Sequence, residues 1–313
     1  MRVIITGGAG LIGRAVSREL TRSGYEVIVL SRNPEKVRGL PSNTRVVSWD
    51  GQTANGWEEW AEGAEAIINL AGVSIAGDSL LSLTLNRWTS QRKRSILESR
   101  LKAGRAVVQA VQQARQKPKV IIQASAVGYY GSRGEEDLTE LSEPAHDFLA
   151  RVCSEWEAST VEVEQLGVRR AIIRTGGVAL STEGGAFPFM LLPFRLFLGG
   201  PLGNGKQWFS WIHIVDEARA IHYLIENPSA KGVFNLCSPQ PITNGDFSRI
   251  LGKVLRRRSF LPVPDFALQL AFGEKAGLLT GSQKQLPKRL LELGFSFQYP
   301  DAESALRDLL IKK

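Results

Sequence analysis

Cysteine is scarce in this chain. Only Cys153 and Cys237 occur among 313 residues, and they do not form a CxxC pair. Secreted domains held by disulfides and structural zinc sites both need several cysteines at characteristic spacing, so both classes are excluded. We therefore expect two reduced thiols in a cytoplasmic protein, with Cys153 packed as a small apolar side chain.

Histidine is equally rare. The chain has three histidines, and neither His146 nor His222 has a cysteine or carboxylate at a spacing typical of metal ligands. His213 lies between two isoleucines, which is typical of a structural side chain. Asp216 follows and is expected to cap a helix that starts at Glu217. The sequence thus predicts no metal site.

Long hydrophobic runs are missing as well. The stretch Met190–Leu202 is interrupted by Pro193, Arg195 and a Gly-Gly pair, whereas a membrane helix needs about 20 apolar residues. The first strand pattern begins at Arg2, with no stretch before it that resembles a signal peptide. We expect neither export nor a membrane partner.

Basic residues exceed acidic ones, and most of the excess lies in one segment. Lys and Arg number 39 against 31 Asp and Glu, giving a net charge of +8, and seven basic residues lie between Arg87 and Arg105. Nucleic-acid-binding stripes normally include stacking aromatics or a known motif, and here only Trp88 is present, so no nucleic-acid partner is predicted. The segment is either a solvated helix face or one whose side chains reach cofactor phosphates or an anionic substrate.

Short β-branched runs alternate with longer amphipathic stretches over the first 125 residues. Runs such as Val120–Ile122 are apolar on successive positions, as strands covered by helices on both faces require. The alternation predicts the α/β class, with a Rossmann-type doubly wound parallel sheet. We expect a long helix from about Asn86 to Arg115 and further strands at Arg170–Arg174 and Val233–Leu236.

Two later stretches differ from this pattern. Residues 177–209 are rich in Gly, Pro and Phe without a clear period, and are predicted to form a substrate loop. Beyond residue 240, prolines punctuate short helical segments. We therefore divide the chain into a Rossmann domain, residues 1–240, and a smaller C-terminal α-rich substrate lobe, residues 241–313.

A glycine-rich turn follows the first strand immediately. Thr6–Gly13 reads TGGAGLIG, with glycines at 7, 10 and 13 opening the first helix. Glycine permits a tight turn and lets backbone amides approach a diphosphate at the positive end of the helix dipole. The position between a strand and a helix predicts a dinucleotide site rather than only a tight turn.

The second strand is predicted to end at Leu30, and Ser31 and Arg32 follow it, where an NAD site would present a carboxylate to the ribose 2′-hydroxyl. A guanidinium offers a charged fork to a 2′-phosphate instead, so the predicted cofactor is NADP(H). Asp50, ending the third strand, is a candidate adenine contact. The small residues of Asn69–Gly72, ending the fourth, are expected to pack against the cofactor.

These motifs resemble the extended short-chain dehydrogenase/reductase superfamily of sugar-nucleotide epimerases and dehydratases. Beyond the glycine turn, the resemblance rests on Asn69–Gly72, Ser125–Gly131 and Trp211–Asp216. With Leu191–Arg195 and Leu261–Pro264, nearly the whole chain is similar to an atypical branch of epimerase family proteins with a C-terminal domain of unknown function.

The resemblance implies how NADP(H) is bound. The residues implied to contact the cofactor are Gly7, Gly10, Leu11, Ile12, Gly13, Ser31, Arg32, Asn69, Leu70 and Ala71, with Ser99 or Arg100 from the basic helix and Gly177 beside the nicotinamide.

The superfamily's catalytic pair is absent. That chemistry uses a Tyr as general acid/base, four residues before a Lys that lowers its pKa, and counting back from Glu157 places Leu149 and Cys153 at these positions. The remaining candidates for proton transfer are Ser125, expected just past the end of its strand, and Tyr129 and Tyr130 on the following loop. In the alternative interpretation, the tyrosines only pack and Ser125 caps a turn.

Two functions follow from these features. The first is an NADP(H)-dependent oxidoreductase or epimerase-like enzyme acting on a small-molecule substrate, with an anionic substrate as one option. The second is an NADPH-binding sensor that lost catalysis, since some relatives are labelled as cell-division inhibitors. The missing Tyr and Lys favour the sensor, whereas Ser125 and the Gly199–Gly205 loop favour the enzyme.

Overall fold

A parallel sheet of seven strands forms the centre of the molecule. The computed structural model describes residues 1–75, 77 and 87–311. Numbered in chain order, the strands are β1 (Arg2–Thr6), β2 (Glu26–Ser31), β3 (Thr44–Ser48), β4 (Ala66–Asn69), β5 (Val120–Ala126), β6 (Asp137–Leu138), β7 (Arg169–Thr175), β8 (Val178–Leu180), β9 (Trp208–Phe209), β10 (Trp211–His213), β11 (Gly232–Leu236), β12 (Ile242–Thr243) and β13 (Lys284–Gln285). The central sheet has the order β11-β7-β5-β4-β1-β2-β3. The strands are all parallel, and the direction in which successive strands are added reverses between β1 and β4, the point where open α/β sheets bind ligands.

Helices cover both faces of this sheet. In chain order, the α-helices of the described residues are α1 (Leu11–Arg22), α2 (Glu58–Ala61), α3 (Ser90–Gln113), α4 (Phe148–Ala158), α5 (Glu162–Gln165), α6 (Phe187–Arg195), α7 (Ile214–Glu226), α8 (Asn244–Leu255), α9 (Asp265–Phe272), α10 (Gly277–Thr280), α11 (Lys288–Glu292) and α12 (Ala302–Leu310). In β1, Val3 and Ile5 pack with α1 and α7, whereas Ile4 packs with α3. Burial on both faces explains why the strands are apolar on successive residues, and the predicted Rossmann-type α/β class is confirmed.

Three small strand pairs lie outside the central sheet, and two of them include C-terminal residues. β13 pairs with β6, β12 with β9, and β10 with β8. A separate apolar cluster joins α6, α8 and α12, with Phe187, Phe247 and Leu306 at its centre. The helical character of this part agrees with the predicted C-terminal lobe, and its boundary at residue 240 stays a prediction.

Two local predictions differ from the structure. Residues 177–209 contain β8, α6 and β9 rather than an uninterrupted loop, because their apolar side chains pack onto α8 and α12. The long helix starts at Ser90, since the Thr89 hydroxyl accepts a hydrogen bond from the Arg92 amide and caps the first turn. Asn86, the predicted start, lies outside the described residues.

Within the described residues, no helix has the length and apolar composition that crossing a membrane requires. The same residues contain no group of three or more His, Cys, Asp or Glu side chains arranged to hold a metal ion.

Candidate functional site

The turn after β1 requires glycine at two positions. Gly7 has a φ of +69°, and a Cβ there would lie 2.9 Å from the Leu70 carbonyl carbon. A Cβ on Gly13 would lie 2.4 Å from the Gly8 Cα. Backbone atoms cannot move aside as flexible side chains can. Glycine therefore allows β1, α1 and the end of β4 to meet closely at the switch point of the sheet.

The N-terminus of α1 is open to a ligand. Gly10 is its N-cap residue and provides no side-chain cap, and the first turn contains no carboxylate. The first intrahelical bond runs from the Arg14 amide to the Gly10 carbonyl at 3.0 Å, so the amides of Leu11, Ile12 and Gly13 precede the helical ladder. Unpaired amides at the positive end of a 12-residue helix fit a diphosphate.

The end of β2 presents an exposed guanidinium. The Arg32 side chain lies along the 50–51 turn, with its Cδ 3.4 Å from the position of a Cβ on Gly51. Asp50 shapes this turn, since its carboxylate accepts hydrogen bonds from the amides of Gln52 (2.7 Å) and Thr53 (2.9 Å). Burial opposes ionisation of Asp50, but these bonds hold its pKa below the usual value. The Ser31 hydroxyl accepts from the Asn33 amide at 3.2 Å.

Asn69 joins three neighbouring strands. Its fully buried amide accepts a hydrogen bond from the Thr6 hydroxyl at 2.7 Å and donates one to Gln123 Oε1 at 2.9 Å. The Thr6 hydroxyl in turn accepts from the Ala71 amide at 3.2 Å. The Asn69 side chain is thus occupied inside the sheet, where it fixes the backbone of Leu70 and Ala71 against Gly7.

A buried guanidinium lies beside the end of β4. Arg100 is 7 % exposed, and its Nη1 donates to the carbonyls of Ile96 (2.9 Å) and Val73 (3.1 Å). Its Cζ lies 4.8 Å from the Trp156 ring, and a Cβ on Gly72 would lie 2.9 Å from that same carbon. Among the described residues its Nε has no hydrogen-bond partner. Burial lowers the Arg100 pKa to about 10.

The rest of the basic segment is largely held by the protein. Arg92 donates to the Ser74 carbonyl at 2.6 Å, and Lys93 forms an ion pair with Glu274 at 2.6 Å. The Ser99 hydroxyl accepts from the Val73 amide at 3.0 Å. These contacts bind α3 to the loop after β4 and to the C-terminal lobe, so the segment is not a freely solvated stripe.

Ser125 belongs to a buried ionic network. Its hydroxyl donates to Glu157 Oε1 at 2.6 Å, and Arg174 holds the same carboxylate through Nε at 2.8 Å and Nη2 at 3.0 Å. The position predicted for Ser125, just past its strand, is wrong: β5 continues to Ala126 because its last residues pair with the end of β7. Ser125 is 4 % exposed.

The two candidate tyrosines have different environments. Tyr130 is fully buried; its hydroxyl donates to Asn235 Oδ1 at 2.7 Å and accepts from Arg174 Nη1 at 3.0 Å. Burial raises the Tyr130 pKa to about 12. Tyr129 is half-buried, its ring centroid lies 3.3 Å from the Arg174 Cζ, and burial also raises its pKa. The packing of Tyr130 fits the alternative interpretation, in which it has a structural role.

An open polar cleft lies near the C-terminal lobe. Its volume is about 240 Å³, and its lining includes charged and amide side chains: Glu135, Asn204, Lys206, Gln207, Asp265, Thr280 and Ser282. Gly177, predicted beside the nicotinamide, lies elsewhere, where a Cβ would be 3.2 Å from the Ser210 carbonyl oxygen and 3.8 Å from Val127 Cγ1. The 177–209 segment thus contributes three residues to the cleft through its C-terminal part.

Comparison with known proteins defines the family. The family model "NAD dependent epimerase/dehydratase family" matches residues 3–237, and the model of a domain of unknown function, DUF1731, matches residues 263–309. The chain belongs to the NAD-dependent epimerase/dehydratase family. The predicted resemblance is thereby confirmed.

Relatives of this epimerase family match along almost their whole length. Epimerase family protein YfhF of Bacillus subtilis is 38 % identical over 99 % of this chain and 98 % of its own. The chloroplastic SDR39U1 homolog of Arabidopsis thaliana is 38 % identical over 99 % of this chain and 87 % of its own. The crystal structure of human epimerase family protein SDR39U1 with NADPH has a TM-score of 0.87 and 34 % identity, covering 99 % of both chains.

Leu149 and Cys153 are the residues that counting from Glu157 assigns to the superfamily's Tyr and Lys positions. Leu149 lies against Gly128, where a Cβ would be 3.2 Å from the Leu149 Cβ. Cys153 is buried, with its Sγ 3.7 Å from the Ala126 carbonyl oxygen, and burial raises its pKa to about 11. A neutral thiol cannot replace an ammonium group.

Sequence reasoning missed the partners of Ser125. Glu157 served only to align the sequence with the superfamily, and Arg174 only to end a predicted strand. The available signal was an arginine at each end of the apolar segment Arg170–Arg174, since a charge in a strand covered on both faces needs a buried partner.

One further residue has a different role from the predicted one. The expectation that Asp216 caps a helix starting at Glu217 is wrong, because α7 starts at Ile214 and His213 Nδ1 accepts from the Val215 amide. The Asp216 carboxylate instead accepts from backbone amides of the C-terminal lobe, at 2.8 Å each.

Proposed function

We propose that this chain binds NADPH at the carboxyl edge of its sheet and exchanges hydride with a small-molecule substrate, as an oxidoreductase or epimerase-like enzyme. The observation that supports this most directly is the turn of Gly7–Gly13, where glycine is sterically required and the amides of α1 are open. The relative solved with NADPH, at 34 % identity over 99 % of this chain, supports the same cofactor.

The residues present fit NADPH better than NADH. The amides of Leu11, Ile12 and Gly13 would hold the diphosphate, and the exposed Arg32 would hold the 2′-phosphate. The backbone of Leu70 and Ala71, fixed by Asn69, would contact the adenosine half. When bound, the nicotinamide supplies a hydride donor or acceptor.

Arg100 has a separate role in this proposal. Its guanidinium has no carboxylate partner among the described residues, and a buried charge without compensation is costly. The Arg100 and Cys153 side chains are close enough to influence each other's pKa. We place Arg100 near the region where the superfamily's lysine would lie, where it would donate to oxygen atoms of the cofactor.

Ser125 is the side chain best placed to exchange a proton with substrate. Its hydroxyl already donates to Glu157, so it can accept a hydrogen bond from a substrate hydroxyl while Glu157 and Arg174 hold its orientation. Tyr129, half-buried on the adjoining turn, is the second candidate.

A sensor without catalysis is the alternative. Leu149 and Cys153 replace the catalytic pair, and the Tyr130 hydroxyl is fully occupied by Asn235 and Arg174. These contacts favour a protein that binds NADPH and reports it through its conformation.

Cofactor titration tests the first step. We expect NADPH to bind at least tenfold more tightly than NADH, a difference of about 1.4 kcal/mol, and Arg32→Ala to remove most of that difference. Arg22→Ala, an exposed arginine at the far end of α1, is the matched control and should change neither affinity. Equal affinities in the parent protein would exclude the assigned role of Arg32.

A screen of carbonyl substrates tests the second step. In Ser125→Ala with Tyr129→Phe, NADPH affinity should be nearly unchanged while turnover falls at least a hundredfold, within the range of about 10² to 10⁴ for general acid/base help. If no substrate oxidises NADPH, or if the double variant turns over normally, the enzyme with these residues is rejected and the sensor is favoured.

A further inference from the structure

An apolar surface is exposed where the end of α6 meets the segment after α8. It consists of Leu196, Phe197, Leu198, Phe260 and Leu261, and we call it the α6 apex. Phe197 and Phe260 expose 61 % and 58 % of their area, and the three leucines are also exposed. Contiguous exposed side chains of this size indicate a contact surface rather than chance exposure.

Backbone contacts join the two halves of the α6 apex. The amides of Phe260 and Leu261 both donate to the Gly199 carbonyl, at 3.1 and 3.2 Å. Across this junction the Arg257 guanidinium carbon lies 4.2 Å from the Phe197 ring centroid. The five apolar side chains are therefore presented together by a braced loop.

A cluster of basic side chains lies beside the α6 apex. Four exposed arginines flank it: Arg195, Arg256, Arg257 and Arg258. Residues 184–215 and 247–264 contain no Asp or Glu. Within the described part of the chain, none of these four arginines has an ion-pair partner.

Backbone strain is concentrated at the same place. Phe197 (φ +62°) and Arg256 (φ +55°) are the two non-glycine residues with positive φ among those the structure describes. A bulky side chain rarely adopts this conformation, and glycine usually occupies it at a helix end. Retained strain of this kind is typical of binding sites, and here it coincides with the exposed aromatic ring and the arginine cluster.

We propose that the α6 apex is a docking surface for an anionic lipid membrane. Aromatic and leucine side chains enter the headgroup boundary, while surrounding arginines bind lipid phosphates. A second copy of this chain fits poorly, because a two-fold contact would bring like-charged arginine rims together. The sequence predicts no membrane partner because it lacks a spanning run, but docking of this kind needs none.

Vesicle sedimentation tests this proposal with the full chain. The probes are 100 nm vesicles of pure phosphatidylcholine and vesicles with about one third phosphatidylglycerol, at about 0.1 M salt, where the Debye length is about 10 Å. We expect binding to the anionic vesicles only. Arg256→Ala with Arg258→Ala should weaken it about 25-fold, at roughly fivefold for each arginine near the surface.

Phe197→Gly separates docking from folding. Glycine adopts positive φ without strain, so this variant should melt no lower than the parent protein, yet bind anionic vesicles at least tenfold more weakly. The matched charge control is Arg22→Ala with Arg115→Ala, which removes two exposed arginines elsewhere and should bind nearly as the parent does.

Three results would overturn the proposal. The first is no sedimentation with anionic vesicles. The second is equal weakening by the control pair, which would mean that net charge alone drives binding. The third is a concentration-dependent dimer in analytical ultracentrifugation that Phe197→Gly abolishes, which would assign the α6 apex to a second copy.

Discussion

Buried ionisable side chains determine how single residues behave in this molecule. Arg174 and Glu157 expose 4 % and 11 % of their side chains and neutralise each other. Glu217 is fully buried and forms no ion pair among the residues that the structure describes, and its Oε1 accepts a hydrogen bond from the Thr175 hydroxyl at 2.7 Å. Burial raises the Glu217 pKa to about 8, although the Thr175 bond opposes the increase. The Arg174–Glu157 pair is therefore charged, whereas the lone Glu217 is neutral below about pH 8.

Glu217 should make stability fall as pH rises. Its pKa is about 8 when folded against an ordinary value of 4.5, so the folded state binds more protons between these values. By linkage, the free energy of unfolding decreases between these pH values by up to a few kcal/mol. The stabilisation that Glu217 provides is fully present below pH 4.5 and is lost above pH 8. Urea unfolding at about pH 5.5 and 8.5 measures this slope. Glu217→Gln should flatten it, and the exposed Glu292→Gln should not.

The prediction for Glu217 has a clear contrary outcome. If Glu217→Gln and Glu292→Gln show the same decrease in unfolding free energy between the two pH values, Glu217 is not the group responsible. Cys237 contributes little to this slope, because burial and Glu217 both raise its thiol pKa in the folded protein and a thiol of the unfolded chain ionises only near the top of this range.

At the scale of elements, the central sheet could be predicted because its signal is local. Each strand is a short apolar run, and the predicted bounds Arg170–Arg174 and Val233–Leu236 agree to within one residue with those of β7 and β11. The helix α6 could not be predicted, since Pro193 lies inside it and its packing partners are on α8 and α12. Pairing of β13 with β6 depends on residues far apart in sequence, which no local pattern records.

The candidate site also has a part that the sequence predicts and a part that it does not. The glycine turn and Arg32 follow directly from residue types at the ends of strands, so their positions could be predicted. The bonds from Ser125 through Glu157 to Arg174 join three different elements, and the sequence gives no distance between them. Tyr130 was a reasonable catalytic candidate by position, but its burial depends on Asn235 of β11.

At the junction of β1 and α1, an added side chain should destabilise the protein at Gly13 and be tolerated at Gly10. Gly13→Ala would place a Cβ 2.4 Å from Gly8 Cα, whereas Gly10→Ala has an ordinary φ of −74° and a nearest contact of 3.2 Å. Overpacking of this kind costs about 1–3 kcal/mol. We expect Gly13→Ala to lower the melting temperature and to weaken NADPH binding at least tenfold. Gly10→Ala should have a much smaller effect on the melting temperature, and equal melting temperatures of the two variants would contradict this account.

At the scale of the whole molecule, the C-terminal lobe is built into the Rossmann core. Gln285 of β13 donates to Asn235 Oδ1 at 2.9 Å and accepts from the Ser210 hydroxyl at 2.6 Å. Leu290 and Phe295 lie in the same apolar cluster as strands β1 and β7. The boundary between the two matched family models thus does not correspond to a boundary between two hydrophobic cores.

The two parts should therefore unfold together. Because Gln285 and Leu290 complete contacts in the Rossmann core, separating the lobe would remove one hydrogen bond from Asn235 and leave the buried Ser210 hydroxyl without its Gln285 acceptor, which costs about 1–3 kcal/mol for an unpaired buried group. We expect one calorimetric transition for the full chain, with equal calorimetric and van't Hoff enthalpies. NADPH at about 100 times its Kd should stabilise that whole transition by about 2.7 kcal/mol. Gln285→Ala should lower the same transition without splitting it. Two transitions, of which NADPH shifts only one, would show instead that the lobe folds as an independent unit and that its contacts with Asn235 and Ser210 contribute little.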